Sequence, residues 1–367
     1  MTGKPKVLII SDITESNPTY IEFSKKFECI RYVPTTKEQL FTDLQSEKLR
    51  DVTAIWAMWV GFAELGGTIE KDVFEAIPLS VKVVSIAPVG YDRYDIDFLT
   101  KRGIILTNNP GLGAGAVADI ALFLILATFR FTTVLEQSLR KERHVFRSRE
   151  VLNSDKFVTG IPSRREENVF GFGNNIGGRT VTSPGGKRCG VLGVGAIGKE
   201  IIRRVVAFGM SAHYYTRTPL SNEDLATLPA SSMTAYSSLD ELLPNCDVVV
   251  LCVPLSARTY HILNSKTLAL LPQGARVVNV GRGGLIDSEA LVAALDSGHL
   301  TTAGLDVFEG EPQIPEILLD RWDITILPHI GSATQETVIT AENGIMRNIE
   351  NVVLEGGSGI TPVNKIR

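Results

Sequence analysis

Lys187–Arg217 reads KRCGVLGVGAIGKEIIRRVVAFGMSAHYYTR, and this stretch decides the fold. Cys189–Leu192 is a short apolar run suited to a buried strand. Gly193, Gly195 and Gly198 then give G-x-G-x-x-G. Ile197, Ile201, Val205 and Phe208 recur at helical spacing, and Ala212–Tyr215 reads as the next strand. Strand, glycine turn, helix and strand in that order form a dinucleotide-binding fingerprint. Gly193 allows the tight turn, Gly195 lets the backbone approach a pyrophosphate, and Gly198 lets helix and strand pack closely. Ala196 and Ile197 open the helix, whose unpaired N–H groups and positive dipole end suit phosphates.

Outward from that stretch, the chain of 367 residues is long enough for two domains. A composition of 44% apolar and 21% charged residues is that of a soluble globular protein with a sizeable core. A net charge of −4 gives no electrostatic case for nucleic acid or a membrane surface. Cys29, Cys189, Cys246 and Cys252 are scattered, and two of them sit in apolar runs. They are expected to be free thiols in a reducing compartment, neither disulfides nor metal ligands. Met1–Ser11 lacks a long apolar region, so no secretory signal and a cytoplasmic location are expected. The longest apolar run, Ala116–Phe129, contains Asp119, is too short to span a bilayer, and reads as a buried helix.

Before the fingerprint, strand patterns fall at Lys6–Ile10, Asp51–Trp59, Val81–Ile86 and Gly103–Thr107. Helical candidates lie between them at Pro18–Lys26, Thr36–Leu44, Glu70–Ile77 and Ile96–Arg102. Such alternation predicts a parallel sheet covered by helices. This unit has no G-x-G-x-x-G and ends at the turn signal Asn108-Asn109-Pro110-Gly111. Gly115–Arg140 reads as one long helix bridging to the second unit. Residues 147–186 then break the rhythm with charged runs (Arg147–Glu150, Arg164–Glu167) and many glycines, as a long, partly irregular excursion.

After Arg217 the strand patterns are Cys246–Pro254, Ala275–Gly281, Thr302–Phe308 and Ile324–Leu327. Short helices read at Ser265–Leu271 and Asp287–Asp296, the latter with Asp287 as N-cap, and Thr334–Glu355 is a closing helix expected to return to the first unit. The fold class predicted is α/β with two Rossmann-like domains: a flavodoxin-like domain of residues 1–110 plus 333–367, and an inserted doubly wound domain of 111–332. Three segments stand beyond strand ends in the second unit: Asn279–Asp287, Gly304–Pro312 and Leu327–Ser332. Ligands in such sheets sit at the carboxyl ends of the strands. An arginine, a carboxylate and a histidine are thereby predicted beside a nicotinamide.

These motifs resemble the D-isomer-specific 2-hydroxyacid dehydrogenases, the family of phosphoglycerate dehydrogenase, glyoxylate and hydroxypyruvate reductases and formate dehydrogenases. The resemblance runs from about Val81 to Asn351, interrupted by the excursion. It rests on VGYDRYDID (Val89–Asp97), GVLGVGAIG (Gly190–Gly198), LCVPL (Leu251–Leu255), NVGRGGLID (Asn279–Asp287), AGLDVFEGEP (Ala303–Pro312) and LPHIGSAT (Leu327–Thr334). It implies Arg282 as the catalytic arginine, Glu311 as the carboxylate and His329 as the acid/base. Glu309 is the local rival to Glu311, and the family pattern favours the acid just before the proline. A glutamate there weighs against a formate dehydrogenase, which the resemblance associates with glutamine. It further implies that Asp306 accepts from the nicotinamide amide, and that Cys252, Val253 and Pro254 lie against the adenosine and its ribose. Thr259, Val280, Gly281, Gly331 and Ser332 join the cofactor contacts. Val89 and Gly90 resemble the pair whose N–H groups bind a substrate carboxylate, with Pro88 where many relatives have glycine. Proline has no N–H, so that cradle has fewer donors. A homodimer and a domain cleft closing over substrate are also implied.

The chemistry of the residues agrees. A guanidinium holds a carboxylate with two parallel hydrogen bonds and polarises a carbonyl. A histidine donates a proton to a developing alkoxide, and a neighbouring carboxylate favours its charged form. NAD-using Rossmann folds place an acid near the end of the second strand. Here that place is held by Thr216, followed by Arg217 and Thr218, so NADP(H) is expected over NAD(H). Met58 and Trp59 are candidates for an apolar pocket wall or for plain core. The function expected is reduction of a small 2-oxo acid to a D-2-hydroxy acid, glyoxylate, hydroxypyruvate or a bulkier one. The alternative is a dinucleotide-sensing, corepressor-like interaction protein of the same fold.

Overall fold

The computed structural model describes residues 3–58, 71–92, 94–163 and 174–366. The chain divides into two compact units, one of Met1–Gly113 with Ala333–Arg367 and one of Ala114–Ser332.

The first unit holds β1 (Lys6–Ile10), β2 (Glu28–Arg31), β3 (Val52–Ala57), β4 (Val83–Ile86) and β5 (Ile105–Thr107). They form one parallel sheet in the order β2-β1-β3-β4-β5, the flavodoxin-like arrangement. Strands buried on both faces read as near-continuous apolar runs; Val7–Ile10 is one, and Val83–Ile86 is another broken only by the buried Ser85. β2 is a strand that the sequence reading did not find. It is an edge strand of four residues with only Ile30 buried, too short to show a pattern. Helix Gln335–Val353 packs Ala341, Ile345, Met346 and Ile349 in one cluster with Val7, Ile9, Trp56 and Val83, so the closing helix does return to this unit. The fully buried Glu342 on it accepts from the Thr14 N–H at 2.8 Å and from Asn17 Nδ2 at 3.0 Å. Asn364 then pairs with β5, accepting from the Leu106 N–H at 2.7 Å and donating to the Ile104 carbonyl at 2.9 Å. The chain's end thus covers a sheet edge.

Ahead of its main sheet, and after its opening helices, the second unit has two small hairpins, β6 (Phe157–Val158) with β7 (Ile161–Pro162) and β8 (Asn175–Ile176) with β9 (Arg179–Thr180). The main strands follow: β10 (Arg188–Leu192), β11 (Ser211–Tyr215), β12 (Met233–Ala235), β13 (Val248–Leu251), β14 (Ala275–Asn279), β15 (Leu300–Leu305) and β16 (Ile324–Ile326). They run parallel in the order β12-β11-β10-β13-β14-β15-β16. That is the doubly wound dinucleotide-binding order with one further strand, and it reverses direction between β10 and β13.

Two expectations are corrected here. The single helix read over Gly115–Arg140 is two helices, Ala114–Arg130 and Thr132–Glu142, bent by 68°. Phe131 between them is left-handed at φ 52°. The apolar helix packs Val117, Ala121, Leu124 and Ile125 on the main sheet's core, whereas Phe131 and Val134 belong to a separate cluster with Val151, Leu152 and Ile176. The chain turns because it serves two cores. The excursion at 147–186 is also more structured than read, with helix Val145–Arg149, a 3₁₀ turn at Glu150–Asn153 and both hairpins. The charged run Arg164–Glu167 lies outside the described residues. Among the described residues no single helix is long and apolar enough to cross a membrane.

Candidate active site

The site is built first by the glycine turn. β10 ends at Leu192, Gly193 takes φ 94°, and its N–H donates to the Tyr215 carbonyl at 2.9 Å. A Cβ at Gly193 would lie 2.5 Å from Val253 Cγ1, and one at Gly198 would run into the Gly193 carbonyl. A Cβ at Gly195 would meet nothing within 4 Å. Packing explains two of the glycines, and the third faces open space where a ligand can approach. Gly195 is the N-cap of the helix Ala196–Ala207 and supplies no side-chain cap. The N–H groups of Ala196, Ile197 and Gly198 donate to no described residue. Unused donors and a helix dipole fit a pyrophosphate. Cys252 braces the turn, its thiol donating to the Gly193 carbonyl at 2.9 Å and to the Leu192 carbonyl at 3.3 Å. Burial pushes that thiol up to about 12.

Three loops then leave the carboxyl ends of the adjacent strands β14, β15 and β16. The arginine loop is held by Asn279, which accepts from the Gly281 N–H at 3.0 Å and donates to the Arg282 carbonyl at 2.8 Å. Its next residue, Gly283, lies so close to the Phe308–Glu309 backbone that any side chain would collide. In the acid loop, Glu311 accepts from the Phe308 N–H at 2.8 Å through Oε1. Its Oε2 meets His329 Nδ1 at 3.0 Å. His329 is left-handed at φ 54° with its side chain 32% exposed, while the Glu311 side chain is 11% exposed. An ionised carboxylate only accepts, so Nδ1 carries a proton and the histidine's chemistry passes to Nε2. Asp306, 1% exposed, accepts from the Ile330 N–H at 2.9 Å and the Gly331 N–H at 2.8 Å. It therefore grips the loop that carries His329. Burial raises its carboxyl, against the two backbone donors that favour the anion.

Glu309 has different partners. Tyr260 donates its hydroxyl to it at 2.9 Å and His261 Nε2 meets it at 2.6 Å. The two rings stack at 4.0 Å, and the His261 N–H donates to the Gly284 carbonyl at 2.8 Å. Sequence reading missed His261, Tyr260 and Asn279. Asn279 had a signal, a polar residue closing a buried strand. The other two had none.

At the end of β11, Thr216 is half-buried and Arg217 and Thr218 are exposed. The Arg217 guanidinium bonds to no described residue. Thr259 turns its hydroxyl to the Pro254 carbonyl at 2.7 Å and accepts from the Ser256 N–H at 2.8 Å, closing the loop after β13. Val280 and Gly281 follow β14 as buried backbone, Gly331 is buried and Ser332 exposed. In the first unit, Pro88, Val89 and Gly90 follow β4, Asn108 donates to the Val89 carbonyl at 2.6 Å, and the Val89 and Gly90 N–H groups donate to no described residue. Met58 packs against the first unit's core, and Trp59 lies outside the described residues. All four cysteines are free thiols.

A doubly wound sheet with a fingerprint turn, and an arginine, a carboxylate–histidine pair and a buried aspartate on neighbouring strand ends, define an oxidoreductase that uses a nicotinamide dinucleotide. Residues 124–331 match the family model for the NAD-binding domain of D-isomer specific 2-hydroxyacid dehydrogenases. A glyoxylate reductase of Thermococcus onnurineus is 35% identical over 90% of this chain and 87% of its own length. The holo form of Rhodotorula graminis D-mandelate dehydrogenase matches at 32% identity and a TM-score of 0.85, covering 100% of this chain and 99% of its own. An NADPH-dependent glyoxylate/hydroxypyruvate reductase of Sinorhizobium meliloti, in complex with NADP and malonate, matches at 30% identity and a TM-score of 0.72 over 98% and 97%. The chain belongs to the D-isomer-specific 2-hydroxyacid dehydrogenase family.

Proposed function

We propose that this chain reduces small 2-oxo acids to D-2-hydroxy acids and prefers NADPH. The observation that carries the reading is the His329–Glu311 pair at 3.0 Å, on the loops after β15 and β16, next to the Arg282 loop after β14 and at the same carboxyl edge of the sheet as the glycine turn. When bound, the reduced nicotinamide supplies the hydride. Arg282 holds the substrate carboxylate and polarises the 2-oxo group. His329 Nε2 gives its proton to the oxygen as that oxygen becomes an alkoxide, and Glu311 stabilises the imidazolium beforehand. In oxidation the same nitrogen takes the proton back. The Ala196–Gly198 N–H groups hold the pyrophosphate.

The NADPH preference is supported by the lack of an acid at the end of β11 and by Arg217, whose exposed guanidinium bonds to no described residue. A 2′-phosphate takes a bidentate arginine well, and Thr216 and Thr218 add hydroxyl donors. Relatives named for glyoxylate and for mandelate leave side-chain size as the quantity to measure. The test follows absorbance of NADPH and of NADH across 2-oxo acids from glyoxylate to phenylpyruvate. Oxidation of NADPH by at least one acid, lost in His329→Ala with cofactor binding retained, is the expected result. Consumption of neither cofactor by any acid refutes the reading, and an unchanged rate in His329→Ala refutes the role of His329.

A further inference from the structure

At the end of the second sheet opposite the glycine turn lies a polar cavity of about 350 Å³. Its wall is formed where β10, β13, β14 and β15 begin, and it includes Arg276, Arg179, Lys187, Thr182 and Gln273 with one carboxylate, Asp247. Arg276 is 6% exposed. Its guanidinium donates to the Gly274 carbonyl at 3.1 Å, to Thr182 Oγ1 at 3.3 Å and to the Thr128 carbonyl at 3.4 Å, and stacks over Phe129 at 4.0 Å. These partners are neutral, and Arg276 forms no ion pair with any described residue. Thr128 lies in the last turn of helix Ala114–Arg130, which contributes a partial charge only.

Buried charges are ordinarily paired, since an unpaired one loses its hydration without return. Burial pushes the Arg276 guanidinium down to about 10, in keeping with that loss. The carboxylate on the wall is already committed. Asp247 accepts from the Arg188 N–H at 2.8 Å, from Arg188 Nη2 at 3.1 Å and from Nε at 3.2 Å. Arg179, the other buried guanidinium on the wall, has its counter-charge in Asp323 at 3.1 Å. Lys187 bonds to no described residue through its ammonium. A guanidinium has five N–H donors, and the hydrogen bonds of Arg276 occupy three.

We propose that this cavity is a second ligand site, taking a small multiply charged oxyanion, a phosphate or polycarboxylate group, between Arg276 and Lys187. It is separate from the dinucleotide turn, being at the other end of the same strands. The anion supplies the contact counter-charge that no described residue gives Arg276, on which Asp247 acts only at a distance, and the volume admits a molecule of a few carbons.

The test is calorimetric titration of the full chain, saturated with its dinucleotide, with inorganic phosphate and with citrate at constant ionic strength set by chloride. Saturable binding of at least one anion is expected, weakened about tenfold or more by Arg276→Gln and by Lys187→Ala. Lys187→Ala alters no described hydrogen bond of the side chain, so it decides the matter should Arg276→Gln not fold. No saturable binding, or affinity equal to the parent in Lys187→Ala, overturns the proposal. So does binding seen only without dinucleotide, which would put the anion in the cofactor turn.

Discussion

Replacing Glu311 with glutamine changes one atom and should remove most of the reductive rate. Oε1 accepts from the Phe308 N–H at 2.8 Å, and only an acceptor can stay there. The amide oxygen therefore keeps that place and the NH₂ group turns to His329 Nδ1, where Oε2 stood at 3.0 Å. Nδ1 must then accept, which drives the ring into its neutral Nε2–H form and sets N–H against N–H in the imidazolium. A neutral imidazole is a far weaker acid than an imidazolium. General acid catalysis contributes about 10²–10⁴-fold, so a loss of about 10³ in kcat, about 4 kcal/mol of barrier, is expected. KM and dinucleotide affinity should change little, because Glu311 is assigned to neither ligand. The assay is steady-state oxidation of NADPH at saturating 2-oxo acid, beside a dinucleotide titration by fluorescence. Glu309→Gln is the control: its carboxylate belongs to His261 and Tyr260, so kcat should stay within about threefold of the parent. A Glu311→Gln rate within about threefold of the parent, or a larger loss in Glu309→Gln, would refute the reasoning.

Arg217→Asp should weaken NADPH far more than NADH in paired titrations, and equal losses would show that Arg217 does not read the 2′-phosphate. Asp306→Asn must present its NH₂ group to the Ile330 or the Gly331 N–H, leaving a donor unsatisfied. The dinucleotide-free chain should lose about 1–3 kcal/mol in urea unfolding, with kcat lowered as the His329 loop loosens; unchanged stability and rate would count against the grip. Burial pushes the Cys246 and Cys252 thiols to about 12, so iodoacetamide at pH 8 should leave both intact in the native chain and modify them only after unfolding, as peptide mass mapping would show.

Much of the site was legible because catalysis in this fold sits at strand ends, and strand ends are marked by abrupt changes of pattern. Asn279–Asp287 and Leu327–Ser332 follow apolar runs with glycine and charge, and the structure puts them after β14 and β16, on either side of the Gly304–Pro312 segment of β15. The choice of Glu311 over Glu309 rested on family pattern, and in the folded chain Glu311 has the bond to His329 while Glu309 has the one to His261. Nothing local announces the His261–Glu309 pair, since the two residues are 48 positions apart. The bend at Phe131 was equally hidden. Its neighbours have helical character on both sides, and the break comes from the second core that Phe131 enters.

By itself the sequence determined the parallel α/β class and the place of the glycine turn, because both depend on local periodicity and on glycines whose backbone needs are local, and the resemblance of its motifs pointed to the family. Tertiary structure alone decided which carboxylate meets which histidine, that Asp306 holds the His329 loop, and that Arg276 is buried with no ion pair among the described residues. Those facts depend on contacts between distant segments, and side-chain pairing across strands is set by sheet order and register rather than by spacing along the chain.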